Sequence, residues 1–69
     1  MYQMMYRSVG MSPSHMDVCK TEAAKEEFLK HRELLAHGMD FYTKREGDTL
    51  ILYTNKEEFG RYYVNKSQN

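Results

Sequence analysis

Most of the features that announce a function are scarce in this sequence. Among 69 residues there is one cysteine, Cys19, and no tryptophan. An internal disulfide is therefore excluded, and a lone thiol fits a reducing compartment. The single proline, Pro13, and four scattered glycines, Gly10, Gly38, Gly47 and Gly60, make no glycine-rich loop ahead of a helix, the usual cradle for phosphate. No apolar run approaches the roughly 20 residues that cross a bilayer. The segment Met1-Tyr2-Gln3-Met4-Met5-Tyr6-Arg7 lacks the basic start and long apolar stretch of a signal peptide, so the expected location is cytoplasmic, with no membrane association. Asn65-Lys66-Ser67 matches the glycosylation sequon, and without an export signal it reads as a chance match.

Neither sign of charge is in excess. Ten basic and ten acidic residues cancel, and they are interspersed along the chain. A nucleic-acid binder ordinarily carries a clear basic surplus, because lysine and arginine contacts to phosphate supply much of its affinity. A mimic of DNA would be strongly acidic. Nucleic acid is accordingly not the expected partner.

Patterns that carry chemistry are sparse as well. No CxxC, HxxxH or HExxH motif occurs, and His15, His31 and His37 form no compact ligand set. His15 and Cys19 would share a face only if their segment were helical, and His31 and His37, six apart, fall on opposite sides of a helix. Cys19 beside a histidine is the minimum for a thiol nucleophile, but nothing nearby in sequence orients it. The adjacent pairs Glu26-Glu27 and Glu57-Glu58 diverge on a helix and read as solvated faces. The expectation is no catalytic residue, no metal and no cofactor.

Present instead is the pattern of one small α+β domain over 1–69. Residues 2–9 alternate, with Tyr2, Met4 and Tyr6 on one face and Gln3, Met5 and Arg7 on the other, which predicts a strand. Residues 10–20 read as a connection, with Ser12-Pro13 able to start a short helical turn. A helix over 21–37 is the clearest element: Thr21 suits the N-cap, Glu22, Glu26 and Glu27 the positive end, Lys30, His31, Arg32 and His37 the negative end, and Gly38 the C′ position. Its predicted buried stripe is Ala24, Phe28, His31 and Leu35, flanked by Leu34, with Glu26 and Lys30 paired on the wet side. Strands are predicted at 39–45 and 49–54 around a Glu46-Gly47-Asp48 turn, the second a central strand apolar on both faces. Residues 55–64 favour a short helix slightly over a strand, from the spacing of Asn55 with Glu58 and of Phe59, Tyr62 and Tyr63. Residues 66–69 are expected to fray. The predicted sheet thus has three strands, or four, in the order strand-helix-strand-strand plus a short C-terminal helix or strand. One main helix lies across one face, and the first strand is parallel to one strand of the hairpin.

Such a chain buries only about 60% of its unfolded surface, so the core is marginal. With no disulfide, oligomerisation is the supplement left most open. The sequence also holds six tyrosines, three phenylalanines and five methionines beyond Met1, more than so small a core absorbs. Tyrosine, methionine and arginine are enriched at protein interfaces. The bland alternative is that the rings pack while their hydroxyls stay wet. We therefore take Tyr2, Tyr6, Arg7, Tyr53, Arg61, Tyr62 and Tyr63 as candidate contact residues. The expected function is a small non-catalytic protein-binding module, an adaptor or inhibitor of a larger protein of bacterial or phage type, acting alone or as a homodimer. The alternative is a single-stranded nucleic-acid binder using the same aromatics with Arg7, Lys44, Arg45 and Arg61.

Overall fold

The computed structural model describes residues 1–66, and it is an α+β domain with one helix on a five-stranded antiparallel sheet. In chain order the elements are β1 (Tyr2–Ser8), β2 (Ser14–Cys19), α1 (Glu22–Gly38), β3 (Tyr42–Glu46), β4 (Thr49–Thr54) and β5 (Glu57–Lys66), and the sheet runs β2-β1-β5-β4-β3. The α+β class matches the sequence expectation. The strand count does not: 14–19 is a strand rather than a connection or helical turn, and the C-terminal segment is a strand rather than a short helix. β1 runs in the same direction as β4, one strand of the predicted hairpin, but does not pair with it, since β5 lies between them and is antiparallel to both. The chain reaches β5 through a second hairpin rather than a crossover, so no parallel pair arises. Most of the expected frayed end lies outside the described residues, apart from Lys66, which ends β5.

Turn chemistry explains why β5 is hard to read. Asn55 and Lys56, between β4 and β5, take φ values of 52° and 68°. Two left-handed central residues make a type I′ turn, whose twist matches the strands it joins. Asparagine tolerates that conformation; lysine is an unusual second residue, and the familiar Asn-Gly signal is missing. We expect Lys56→Gly to stabilise the protein by about 1 kcal/mol by relieving left-handed strain, read as a higher urea midpoint at unchanged m value. At the β3–β4 hairpin the glycine stands where expected, with Gly47 at φ 59° in the first turn position.

The helix starts as predicted, the Thr21 hydroxyl accepting a hydrogen bond from the Ala24 amide at 3.1 Å. It ends one step later than Gly38 suggests. Asp40, at φ 67°, is the left-handed residue, and the Phe41 amide bonds back to the Ala36 carbonyl at 2.9 Å. The buried face is also shifted. Leu29 and Ala36 sit in the core, with Ala24 and Phe28 packed beside them, while His31, Leu34 and Leu35 are exposed. Glu26 pairs with Arg45 at 2.7 Å rather than with Lys30. The docking angle of α1 on the sheet, and not the helix's own apolar count, selects the stripe.

Beneath α1 lie Met4, Cys19, Leu50 and Leu52, with Tyr2, Tyr62 and Val64 at the margin. The expected central strand, β4, does bury Leu50, Ile51 and Leu52, but it is second from the edge and β5 holds the centre. Only one side of it meets the helix. The outer edge of β2 is blunted: its register slips at Met4/Met5, leaving Met16 without a cross-strand partner, and the Val18 amide is capped by the Asp17 carboxylate at 2.7 Å.

Candidate functional site

The pairing registers sort the side chains onto two faces, because cross-strand partners share a side and neighbours along a strand alternate. Tyr6 opposite Tyr62, and Tyr62 opposite Leu50, lie beneath the helix; Arg7 opposite Arg61, and Arg61 opposite Ile51, lie on the far side. Among the described residues no element lies over the far side. Across it run Met5 beside Tyr63, then Arg7, Arg61, Ile51 and Lys44 in one row, then Glu58, Tyr53 and Tyr42.

This open face is more ordered than a bare solvated sheet. Ile51 is only 3% exposed although no helix covers it, so its neighbours' side chains close over it. Met5, Tyr53 and Tyr63 are half-buried, and Tyr42 stands out at the β3 edge. Arg61 is held by both oxygens of Glu58, Nε at 2.8 Å and Nη2 at 2.7 Å. That bidentate pair pulls the Glu58 carboxyl below its usual range and pushes the Arg61 guanidinium higher still. Arg7, directly across from Arg61, is exposed, and together with Thr49, Arg61 and Tyr63 it lines a shallow depression.

Of the candidate contact residues, the structure gathers Arg7, Tyr53, Arg61 and Tyr63 on the open face. It places Tyr2, Tyr6 and Tyr62 on the helix side, where they help build the domain. The Tyr6 and Tyr62 rings meet at 4.7 Å between centroids, and Tyr62 meets Phe28 edge-on at 6.0 Å. The Tyr2 hydroxyl donates to Glu22 at 2.7 Å, and that carboxylate acceptor raises the phenol's pKa. Met5, Tyr42 and Ile51 join the open face without having been singled out, together with Lys44, named only for the nucleic-acid alternative. The alternation of β1, with Met5 on its mixed face, was the signal available for the first of them.

Near the amino end of α1, Lys25 is buried, its side chain 3% exposed. Its ammonium lies 2.6 Å from Glu22, 2.8 Å from Asp48 and 3.7 Å from Glu26, and 4.8 Å from the centre of the Tyr2 ring. Hydrogen bonds to Asp48 and Glu22 raise its pKa well above the ordinary lysine value, so it stays charged. Among the described residues, Glu22, Glu26 and Asp48 are the acidic groups close enough together to suggest a cation site, and this ammonium occupies the space between them.

The thiol and the histidines are dispersed. Because 14–19 is a strand with a bulge, His15 pairs opposite Met5 on the open face and Cys19 opposite Tyr2 beneath the helix, so no shared helical face exists. The His37 ring sits 2.7 Å from the Thr43 hydroxyl. His31 and Cys19 border one groove between β2 and α1, with Phe28 and Ala24. Burial, and then the Asp17 charge, push the Cys19 thiol's pKa up, which keeps it protonated at neutral pH. Ellman's reagent should therefore react slowly with native protein at pH 7.5 and at the free-thiol rate in denaturant; an equal rate in both states would contradict this burial.

Compared with protein-family models, curated proteins and solved structures, the chain matches none.

Proposed function

We propose that this protein is a small, non-catalytic, cytoplasmic binding module, an adaptor or inhibitor that engages another protein through the open face of its sheet. The observation that supports this most directly is the composition of that face. Met5, Ile51, Tyr53 and Tyr63 form an apolar and aromatic centre with Arg7 and Arg61 beside it, on the side of the sheet that α1 leaves uncovered. Tyrosine and arginine around a half-buried apolar centre are the residue types that dominate binding energy at protein interfaces.

A single-stranded nucleic acid fits the same face less well. Of the four cations that would serve it, Arg45 bonds Glu26, Lys44 bridges Glu46 at 3.2 Å and Arg61 is clamped by Glu58. Arg45 also lies on the helix side, opposite Leu50. Phosphate would have to displace carboxylates already in place, and the chain carries no basic surplus to draw it in.

The test compares partner capture by the wild type with a Tyr53→Ser/Tyr63→Ser variant and, as a control, a Leu34→Glu variant on the exposed side of α1. Loss of a partner in the first variant alone supports the proposal, provided that variant melts cooperatively. Retention of every partner by the folded double variant refutes it, as does a salt-sensitive gel shift of single-stranded RNA by the wild type. Light scattering distinguishes a foreign partner from a second copy, since the monomer is 8.2 kDa.

A further inference from the structure

Four basic side chains in the described residues are buried or half-buried: Lys25, Arg32, Arg45 and Arg61. Three have carboxylates at 2.6–2.8 Å. Arg32 has none. Its guanidinium carbon stands 4.9 Å from the centre of the Phe28 ring and 5.6 Å from that of Tyr62, and its Nε is shut away from solvent with no hydrogen-bond partner. Removing a cation from water without an acceptor is costly, and proteins ordinarily pair such groups. The two rings recover part of that cost, but neither supplies the oxygen acceptor that the guanidinium's N–H donors call for.

The geometry leaves one direction for a partner. Nε is closed off, so the side-on approach through Nε and one Nη is blocked, while the end-on approach through Nη1 and Nη2 remains. Contact with two rings holds the guanidinium in place in advance, which lowers the ordering cost of a two-point contact. We infer that Arg32 is an anion-binding residue: held by Phe28 and Tyr62 and given no carboxylate by the described residues of its own chain, it takes two oxygens of a carboxylate or phosphate group end-on through Nη1 and Nη2. This site lies on the helix side of the sheet, so it stands or falls independently of the open-face reading.

The buried Nε proton exchanges slowly with water, so its resonance should be visible near neutral pH in protein carrying ¹⁵N-arginine. Sodium acetate and inorganic phosphate are titrated separately, with sodium chloride at matched ionic strength. The expected result is a saturable shift of the Arg32 signal with at least one oxyanion and not with chloride, at a concentration about tenfold lower than any shift of the exposed Arg7. Saturation by acetate points to a carboxylate source such as an acidic side chain, and saturation by phosphate alone to a phosphorylated one. The same oxyanion should raise the melting temperature of the wild type and not that of Arg32→Gln. If that variant does not fold, the wild-type titration decides alone. A linear response, a response equal to that of chloride, or one equal at Arg7 and Arg32 overturns the inference and leaves Arg32 as a cation held by aromatic rings.

Discussion

Replacing Gly60 by alanine is expected to cost about 2–3 kcal/mol of stability, enough to shift the urea midpoint severely in a domain this small. Gly60 is a buried residue of β5, paired with Ser8 on one side and Leu52 on the other. A Cβ added there would fall inside van der Waals contact with the Tyr6 hydroxyl and lie 2.9 Å from both the Tyr6 Cζ and the Arg7 carbonyl oxygen. The tyrosine could swing aside, but only by giving up its packing on Tyr62 and its hydrogen bond from the Ser8 hydroxyl at 2.9 Å. The carbonyl belongs to the β1–β5 ladder and cannot move without loosening it. A double-mutant cycle separates these two obstacles. Tyr6→Phe should cost about 1 kcal/mol alone, through the lost hydroxyl bond, and much less in the Gly60→Ala background, where that hydroxyl is the first atom in the way. Alanine within about 0.5 kcal/mol of wild type would mean that the strands part more easily than this packing implies.

Lys25→Met should lower the melting temperature by about 10 °C at pH 7. Methionine fills a similar volume, so the loss reports charge rather than a void. Without the ammonium, Glu22, Glu26 and Asp48 face one another with only Arg45 on Glu26 and the Tyr2 hydroxyl on Glu22 to offset their repulsion, and the Lys25–Asp48 ion pair joining α1 to the β3–β4 turn disappears. The pH dependence follows from the direction of the lysine shift. Its pKa is raised in the folded state, so its contribution is fully present below the ordinary lysine range and is lost only as pH rises through the elevated value. Acidification therefore leaves the lysine's own charge untouched, and any acid-side change belongs to the carboxylates. Protonating them relieves repulsion in the variant and weakens attraction in the wild type. Thermal melts should show the gap closing in acid. A gap constant from pH 7 to pH 3 would assign the effect to packing.

The mismatches between sequence and structure share one cause: local signals compete with contacts between residues distant in sequence. In β5, Phe59, Tyr62 and Tyr63 have helical spacing, yet the strand is held by two neighbours, β1 and β4, whose pairing cannot be seen from residues 55–64. The β4–β5 register slips at Leu52/Tyr53, leaving Phe59 as the extra residue, and its ring stacks on Phe41 at 4.8 Å. A bulge breaks the alternation by which a strand is recognised. The same happens in β2, where Met16 interrupts the period. On α1, Ala24 and Phe28 belong to two overlapping stripes, one through His31, Leu34 and Leu35 and one through Leu29 and Ala36, and the helix's setting on Met4, Leu50 and Leu52 favours the one through Leu29.

For the candidate site, Arg7, Tyr53, Arg61 and Tyr63 were recognisable by type. Their separation from Tyr2, Tyr6 and Tyr62 was not, because which face is covered depends on where a helix from another part of the chain settles. The Lys25 cluster was equally hidden: its acids come from α1 and from a turn 23 residues on at Asp48.

By itself the sequence determined the α+β class, the helix from its Thr21 cap, the first strand to within a residue of its end, the strand at 49–54, the Gly47 turn and the excess of tyrosine and methionine, since each depends on local capping, turn or periodic chemistry. Only the tertiary structure decided the five-strand order, the strand identity of β2 and β5, and the two faces of the sheet. It also decided that, among the described residues, Arg32 is the half-buried cation with no carboxylate beside it. Strand order, registers and charge partners depend on contacts between distant segments, and these exist only once the helix and all five strands are assembled.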